Sequence, residues 1–183
     1  MHISAVHLAL NRVATKDLLN TLLNIVEKRE SEKPQNTAVN QGVSDTDQSD
    51  KESNPTYLPQ LKCVETLLEE AYGEEQATKA LRVLGNDVAA HKSVIAALFS
   101  FLKAQNTMEG FCDTNPFQRT LELAMSFGGD SDTIMSMAGA LAGAYYGEKD
   151  IPNYLISLCE GIVDAQKQAD ELFSLISQGM ELS

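Results

Sequence analysis

The chain has no tryptophan and few basic residues. Of its 183 residues, 14 are lysine or arginine and 26 are aspartate or glutamate, which gives a formal net charge of −12. A nucleic-acid surface requires clustered basic residues, so the composition argues against one. An acidic protein can nevertheless bind a polyanionic ligand when a metal ion supplies the positive charge.

Cysteines and long apolar runs are also scarce. The three cysteines, Cys63, Cys112 and Cys159, are odd in number and widely spaced. This pattern predicts free thiols in a reducing compartment. No apolar run approaches the roughly 20 residues of a membrane-spanning helix.

Strand patterns are missing as well. No segment shows the alternation of a half-buried strand, and no internal repeat is evident. Apolar residues recur instead at helical spacing, and hydrophobic residues make up 43% of the chain, enough for a sizeable core. Predicted helices span residues 17–29, 57–71, 88–103, 116–127 and 134–146, with a shorter one ending at Gly85 and a last one carrying Ile162, Ala169, Leu172 and Ile176. The sequence therefore predicts an all-α fold.

Two segments depart from an even distribution of core residues. Residues 31–56 have almost nothing apolar to bury, so we expect a flexible polar loop there. The first residues, by contrast, already carry a core pattern, with Ile3, Val6, Leu10 and Val13 on one helical stripe. Such a start predicts that part of the domain lies upstream of this chain.

The stretch FGGDSDTIMSMAGALAGAYYG, residues 127–147, concentrates negative charge where a helix begins. Residues two apart on an α-helix point about 200° away from each other, so Asp130 and Asp132 can converge only from a turn. Gly128 and Gly129 permit such a turn, because glycine reaches backbone angles that other residues avoid. We therefore expect both aspartates in a turn before a helix that starts at Ile134, with their carboxylates on one side.

Several interpretations of GGDSDT compete. A calcium loop of the EF-hand kind needs glycine at its sixth position and glutamate at its twelfth, where this chain has Met135 and Leu141. A phosphatase of the haloacid-dehalogenase kind needs a preceding strand, which is absent. Two interpretations stay open. One is a helix cap, which the helix dipole favours by about 0.3–1 kcal/mol; the other is a magnesium site with oxygen ligands from Asp130, Asp132 and Thr133.

The helix after this motif is built largely from small residues: Ala138, Gly139, Ala140, Ala142, Gly143 and Ala144. Glycine inside a helix costs about 1 kcal/mol relative to alanine. That cost is understandable where other helices must approach closely. Tight packing by itself explains this helix, but it does not explain the aspartates.

The whole segment GGDSDTIMSMAGALAGAYYG resembles the C-terminal metal motif of the ADP-ribosylglycohydrolases. Thr133, MAGA and AGAYYG are most similar to the members that remove ADP-ribose from serine and degrade poly(ADP-ribose). Weaker similarity extends through AVHLAL, LGNDVAAHKSV and FQRTLELAMSFGGD. The resemblance thus covers most of the chain outside the polar loop.

This resemblance implies a compact, orthogonal, all-α helical domain that holds two Mg²⁺ ions. Asp130, Asp132 and Thr133 match the three metal ligands of the family's C-terminal motif. Val88 matches a hydrophobic position that contacts the substrate. Three residues nearby depart from the family pattern: residue 87 is aspartate where glycine is usual, residue 92 is lysine where glutamate is usual, and residue 95 is isoleucine where proline is usual.

The resemblance also implies a missing half. The family's threonine–aspartate–aspartate metal motif, catalytic glutamate and glycine-rich diphosphate loop do not occur in these residues. Residues 1–183 are therefore expected to be the C-terminal portion of one ADP-ribosylglycohydrolase domain, without a catalytic residue of their own.

The function implied for the complete protein is Mg²⁺-dependent removal of ADP-ribose from serine-modified proteins and degradation of poly(ADP-ribose) or O-acetyl-ADP-ribose. The alternative is a non-catalytic remnant that at most weakly binds metal or ADP-ribose. The resemblance further implies an intracellular monomer of the nucleus, cytoplasm or mitochondrial matrix. Neither nucleic acid nor a membrane is an expected partner.

Overall fold

The computed structural model describes residues 1–32, 56–112 and 114–180. These residues form helices and no strand, so the predicted all-α class is confirmed. The α-helices are α1 His2–Leu10, α2 Thr15–Ser31, α3 Leu58–Glu69, α4 Glu74–Leu84, α5 Ala90–Lys103, α6 Pro116–Ser126, α7 Ser131–Tyr146, α8 Asn153–Leu158 and α9 Ile162–Met180, with a 3₁₀ helix at Glu148–Asp150. The predicted polar loop falls almost entirely outside the described residues.

The chain divides into two compact units, Met1–Asp150 and Ile151–Ser183. In the second unit, α9 has the predicted helical spacing of apolar residues, yet Leu172 is 60% exposed and Ile176 is 54% exposed. Spacing identifies an amphipathic face, but it does not say what covers that face. None of the helices in the described part of the chain has the length and hydrophobicity to cross a bilayer.

Helix α5 is the most deeply buried element of the first unit. Every residue from Ser93 to Lys103 is buried, as expected of a helix that is largely apolar around its whole circumference. It packs against α6 and α7, which also pack against each other. These three helices form the centre of the first unit, and α7 carries the aspartates at its N-terminus.

Some of the small residues of α7 lie where neighbouring helices approach closely, as predicted, whereas Ala140 is exposed. Ala138 and Ala142 are fully buried. At Gly139, an added Cβ would lie 3.2 Å from Leu121 Cδ2 on α6, closer than most van der Waals contacts. This packing holds the middle of α7 against its neighbours.

Helix α1 also packs on α7, but through a different face from the one predicted. Its buried residues are Ala5 and Ala9, whereas Ile3 is 85% exposed and Leu10 is 62% exposed. The predicted stripe was wrong because it selected the larger apolar side chains. Alanines four residues apart form one face of a helix and let two backbones come close.

The cysteines are unpaired, as their spacing predicted. Cys63 and Cys112 are partly exposed and Cys159 is exposed, and all three are free thiols.

Candidate metal centre

The candidate site lies in the short connection from α6 to α7. Helix α6 ends at Ser126, and Gly128 and Gly129 follow with φ angles of +61° and +58°. Two successive left-handed residues turn the chain sharply, and glycine adopts this conformation without the clash of a Cβ atom. Asp130 comes next as the N-cap of α7, with φ −79° and ψ 50°. The predicted turn is therefore confirmed for Asp130.

Asp132 lies inside the helix rather than in the turn. Helix α7 begins at Ser131, three residues before the predicted start at Ile134. The expectation that both aspartates precede the helix was therefore wrong. The glycine pair completes the reversal before Asp130, and a single non-helical N-cap residue is enough to start a helix.

Thr133 joins the two carboxylates. Its hydroxyl donates a hydrogen bond to Asp130 Oδ1 at 2.9 Å, and its backbone N–H donates to Asp132 Oδ1, also at 2.9 Å. The two carboxylates thus share one hydrogen-bonding neighbour, although one belongs to the N-cap and the other to the first turn. The structure places the Thr133 hydroxyl against the Asp130 carboxylate, whereas the Asp132 carboxylate contacts the backbone of Thr133 rather than its hydroxyl.

The hydrogen bonds bear on the choice between a helix cap and a metal site. The Asp130 side chain accepts no backbone N–H of α7, so its carboxylate makes no N-cap hydrogen bond, although the helix dipole still favours its charge there. Among the described residues, no lysine, arginine or histidine forms a salt bridge with Asp130 or Asp132. Two carboxylates and a hydroxyl, without a basic partner, are hard oxygen donors of the kind that Mg²⁺ prefers.

These donors fit part of a magnesium site. Within the described ranges, no cluster of three or more histidine, cysteine, aspartate or glutamate side chains could hold a metal ion. Mg²⁺ takes about six oxygen ligands, more than two carboxylates and one hydroxyl provide. The remaining ligands would have to be water, substrate or residues from elsewhere.

A second loop, between α4 and α5, is bonded to the glycine turn. The backbone N–H of Asp130 donates to the carbonyl oxygen of Asn86 at 2.9 Å, and Asn86 Nδ2 donates to the carbonyl oxygen of Phe127 at 2.8 Å. At Gly129, an added Cβ would lie 2.7 Å from Asn86 Nδ2. Sequence reasoning missed Asn86, because no spacing pattern connects residues that are 41 positions apart.

Val88 lies on the same loop, two residues after Asn86, and is 81% exposed. Helix α5 begins at Ala90, so its predicted start at residue 88 was two residues early. Beside Val88, Asp87 forms a salt bridge with Lys92 at 2.6 Å. The hydrogen bond from Lys92 lowers the pKa of Asp87. Two of the three departures from the family pattern, Asp87 and Lys92, therefore pair with each other.

Comparison with known proteins decides the family. The model of the ADP-ribosylglycohydrolase family matches residues 1–181. The chain belongs to the ADP-ribosylglycohydrolase family. This confirms the resemblance carried by the segment from residue 128 to residue 147.

Individual relatives agree with the family match. The ADP-ribosylhydrolase ARH3 of Mus musculus is 35% identical over 176 residues, which cover 95% of this chain and 45% of the relative. The protein of the same name from Homo sapiens is 35% identical over 170 residues, which cover 92% of this chain and 44% of the relative. A shorter match links the chain to the ADP-ribosyl-[dinitrogen reductase] glycohydrolase of Rhodospirillum rubrum, 36% identical over 73 residues. The chain spans less than half the length of the ADP-ribosylhydrolase relatives that it matches.

Proposed function

We propose that this chain is the metal-binding C-terminal portion of an ADP-ribosylhydrolase. The observation that carries the proposal is the cluster of Asp130, Asp132 and Thr133 at the start of α7, in a chain that belongs to the ADP-ribosylglycohydrolase family. Similarity to relatives named ADP-ribosylhydrolase supports the reaction class. The reaction is hydrolysis of the bond at C1″ of ADP-ribose.

In this proposal, Asp130 and Asp132 hold magnesium and Thr133 adds a neutral oxygen ligand. Bound Mg²⁺, as two ions in the complete enzyme, supplies positive charge that orients the ribose hydroxyls beside a carbon with oxocarbenium character. Each carboxylate accepts a hydrogen bond from Thr133 at Oδ1 and would supply oxygen ligands to the metal. Val88 provides an exposed apolar surface for the substrate on the adjoining loop.

The proposed substrates are serine-linked ADP-ribose, poly(ADP-ribose) and O-acetyl-ADP-ribose. All of them carry the diphosphate of ADP-ribose, which the net charge of −12 would repel. Positive charge from the metal offsets that repulsion locally. Similarity of Thr133 and the AGAYYG segment to the serine-specific members favours the serine linkage over the arginine linkage.

We further propose that the 183 residues are not sufficient for hydrolysis. Cleavage of a glycosidic bond needs a carboxyl group positioned as acid or base. In this proposal Asp130 and Asp132 are occupied by metal, and the family's catalytic glutamate does not occur in the sequence. The chain alone would then bind metal or ADP-ribose weakly at most.

A complementation experiment tests this function. ADP-ribose release from a serine-modified peptide is measured for the 183-residue chain and for a fusion that adds the mouse relative's residues upstream of the matched region. We expect little or no release by the chain alone and Mg²⁺-dependent release by the fusion. Release by the short chain at enzyme-like rates contradicts the need for an upstream half. A folded fusion that releases nothing contradicts the proposed reaction.

A further inference from the structure

Asn86 connects the α4–α5 loop to the glycine turn with both its backbone and its side chain. Its carbonyl oxygen accepts from the N–H of Asp130 at 2.9 Å, and its Nδ2 donates to the carbonyl oxygen of Phe127 at 2.8 Å. The two bonds lie on either side of Gly128 and Gly129 in the chain. The turn is therefore fixed at both of its ends by one residue.

The glycine turn makes few contacts apart from the hydrogen bonds to Asn86. Gly128 and Gly129 are exposed and have no side chain with which to make contacts. Glycine also loses more conformational freedom on ordering than any other residue. Among the described residues, the only side-chain hydrogen bond of the Asp130 carboxylate comes from Thr133 in its own helix. The bonds to Asn86 join the turn to a different part of the fold.

We propose that Asn86 is a positioning residue for the metal centre, which fixes the Asp130 carboxylate relative to Val88 on the adjoining loop. This inference rests on the proposed function, because that proposal gives Asp130 its metal and Val88 its substrate contact. Asn86 is given no contact with metal or substrate and acts through the turn. Since Val88 lies two residues beyond Asn86, one residue links the metal side and the substrate side of the site.

The chemistry of the side chain explains why asparagine suits this position. The Nδ2 group donates to a carbonyl oxygen, which an aspartate at the same position could not do in its ionised form. The carboxylate of Asn86→Asp would instead face the Phe127 carbonyl oxygen, and the two would repel. Asn86→Ala removes the donor but leaves the backbone bond to Asp130. Asn86→Gln keeps an amide donor on a longer side chain.

Two measurements on the 183-residue chain test the inference. The first is amide hydrogen exchange at Asp130 by nuclear magnetic resonance, which reports the order of the turn without any metal. The second is the affinity for Mn²⁺, a paramagnetic substitute for Mg²⁺, by electron paramagnetic resonance. Loss of one hydrogen bond is expected to speed exchange and weaken Mn²⁺ binding by about 2- to 10-fold in Asn86→Ala. A larger effect is expected in Asn86→Asp, and partial recovery in Asn86→Gln.

Asn115→Ala provides the matched control. Asn115 Nδ2 also donates to a backbone carbonyl, that of Asp150, at 2.8 Å, but it does not contact the glycine turn. It also caps α6 through a bond from the Gln118 N–H. This variant is therefore expected to lower overall stability while leaving Asp130 exchange in the folded state and Mn²⁺ affinity unchanged.

The outcomes separate this inference from the proposed function. Unchanged Asp130 exchange in Asn86→Ala would overturn the anchoring of the turn. Faster exchange with unchanged Mn²⁺ affinity would overturn the positioning role. If the unsubstituted chain binds no Mn²⁺, the metal-dependent part of the inference fails with its premise, while the exchange data still decide the anchoring. If Asn86→Ala does not fold, Asn86→Asp decides, and equal effects of Asn86→Asp and Asn115→Ala on both readouts would overturn the inference.

Discussion

Replacing Gly129 by alanine tests how closely the glycine turn approaches the α4–α5 loop. The φ angle of Gly129 is +58°, and an added Cβ would lie 2.7 Å from Asn86 Nδ2 and 2.8 Å from Asn86 Cγ. It would come closer still to the Asn86 carbonyl oxygen, which accepts the hydrogen bond from Asp130. The new methyl group must therefore displace one of the two loops.

The loss of stability expected in Gly129→Ala has two contributions. A left-handed conformation costs a residue other than glycine about 1–2 kcal/mol. Loss of the hydrogen bond between the Asp130 N–H and the Asn86 carbonyl oxygen costs about 0.5–1.5 kcal/mol more. We expect Gly129→Ala to lower the free energy of unfolding by about 1.5–3.5 kcal/mol, measured by urea denaturation and circular dichroism.

Gly128→Ala is the matched control. The φ angle at Gly128 is +61°, but the nearest atom to an added Cβ is Asn86 Nδ2 at 4.0 Å. Only the conformational strain of about 1–2 kcal/mol is therefore expected. Equal losses of stability in the two variants would refute the close approach of Gly129 to Asn86.

Three further predictions concern α7 and the second unit. Gly143→Ala is expected to raise the free energy of unfolding by up to about 1 kcal/mol in thermal denaturation, because alanine favours a helix more than glycine does. The added Cβ has room, since it would lie 3.9 Å from an aromatic ring of α6. A destabilised variant would contradict this expectation. Burial raises the pKa of Tyr146 to about 12, and its hydroxyl donates to Gln105 at 2.7 Å. Because the pKa of Tyr146 in the folded state lies above the ordinary value of 10.0, the contribution of Tyr146 to stability is present below pH 10. That contribution is lost as the pH rises towards 12. Urea denaturation at several pH values should show that stability falls less steeply above pH 10 in Tyr146→Phe. An unchanged pH dependence of stability would argue against this role of Tyr146. Ile134→Ala should lower the free energy of unfolding by about 2–5 kcal/mol, because Ile134 is fully buried. Leu158→Ala should change it by less than about 0.5 kcal/mol in the same assay, because Leu158 is 78% exposed. Similar losses in the two variants would contradict the assigned burial.

The sequence predicted most of the helices because their apolar residues recur at a helical period. Helix α5 is the clearest case, since its apolar residues occur all around the helix and every residue from Ser93 to Lys103 is buried. Periodicity failed at α1, where Ala5 and Ala9 form the contact. Close packing of backbones favours small residues, which a hydrophobicity pattern ranks below isoleucine and leucine.

The site was predictable where it depends on local sequence. The glycine pair and the aspartates, within six residues, indicated a turn followed by a helix start, and Thr133 was identified with them. The contact between Gly129 and Asn86 was not predictable from the pattern. It joins two irregular loops that lie far apart in the chain, and neither a helical nor a strand period extends across such a contact. The glycine at position 129 shows only that the backbone is unusual, not which residue approaches it.

Asp130, Asp132 and Thr133 are proposed to form one part of the metal site of an ADP-ribosylhydrolase. The most direct measurement is the Mg²⁺ dependence of ADP-ribose release by the fusion with the upstream half of the mouse relative, compared between Asp132→Ala and Asp17→Ala. Asp17 is the matched control, because it is an exposed aspartate in the first turn of another helix, α2. We predict that Asp132→Ala abolishes most of the Mg²⁺-dependent release and that Asp17→Ala retains it. Full activity of Asp132→Ala at the same Mg²⁺ concentrations would contradict the metal assignment.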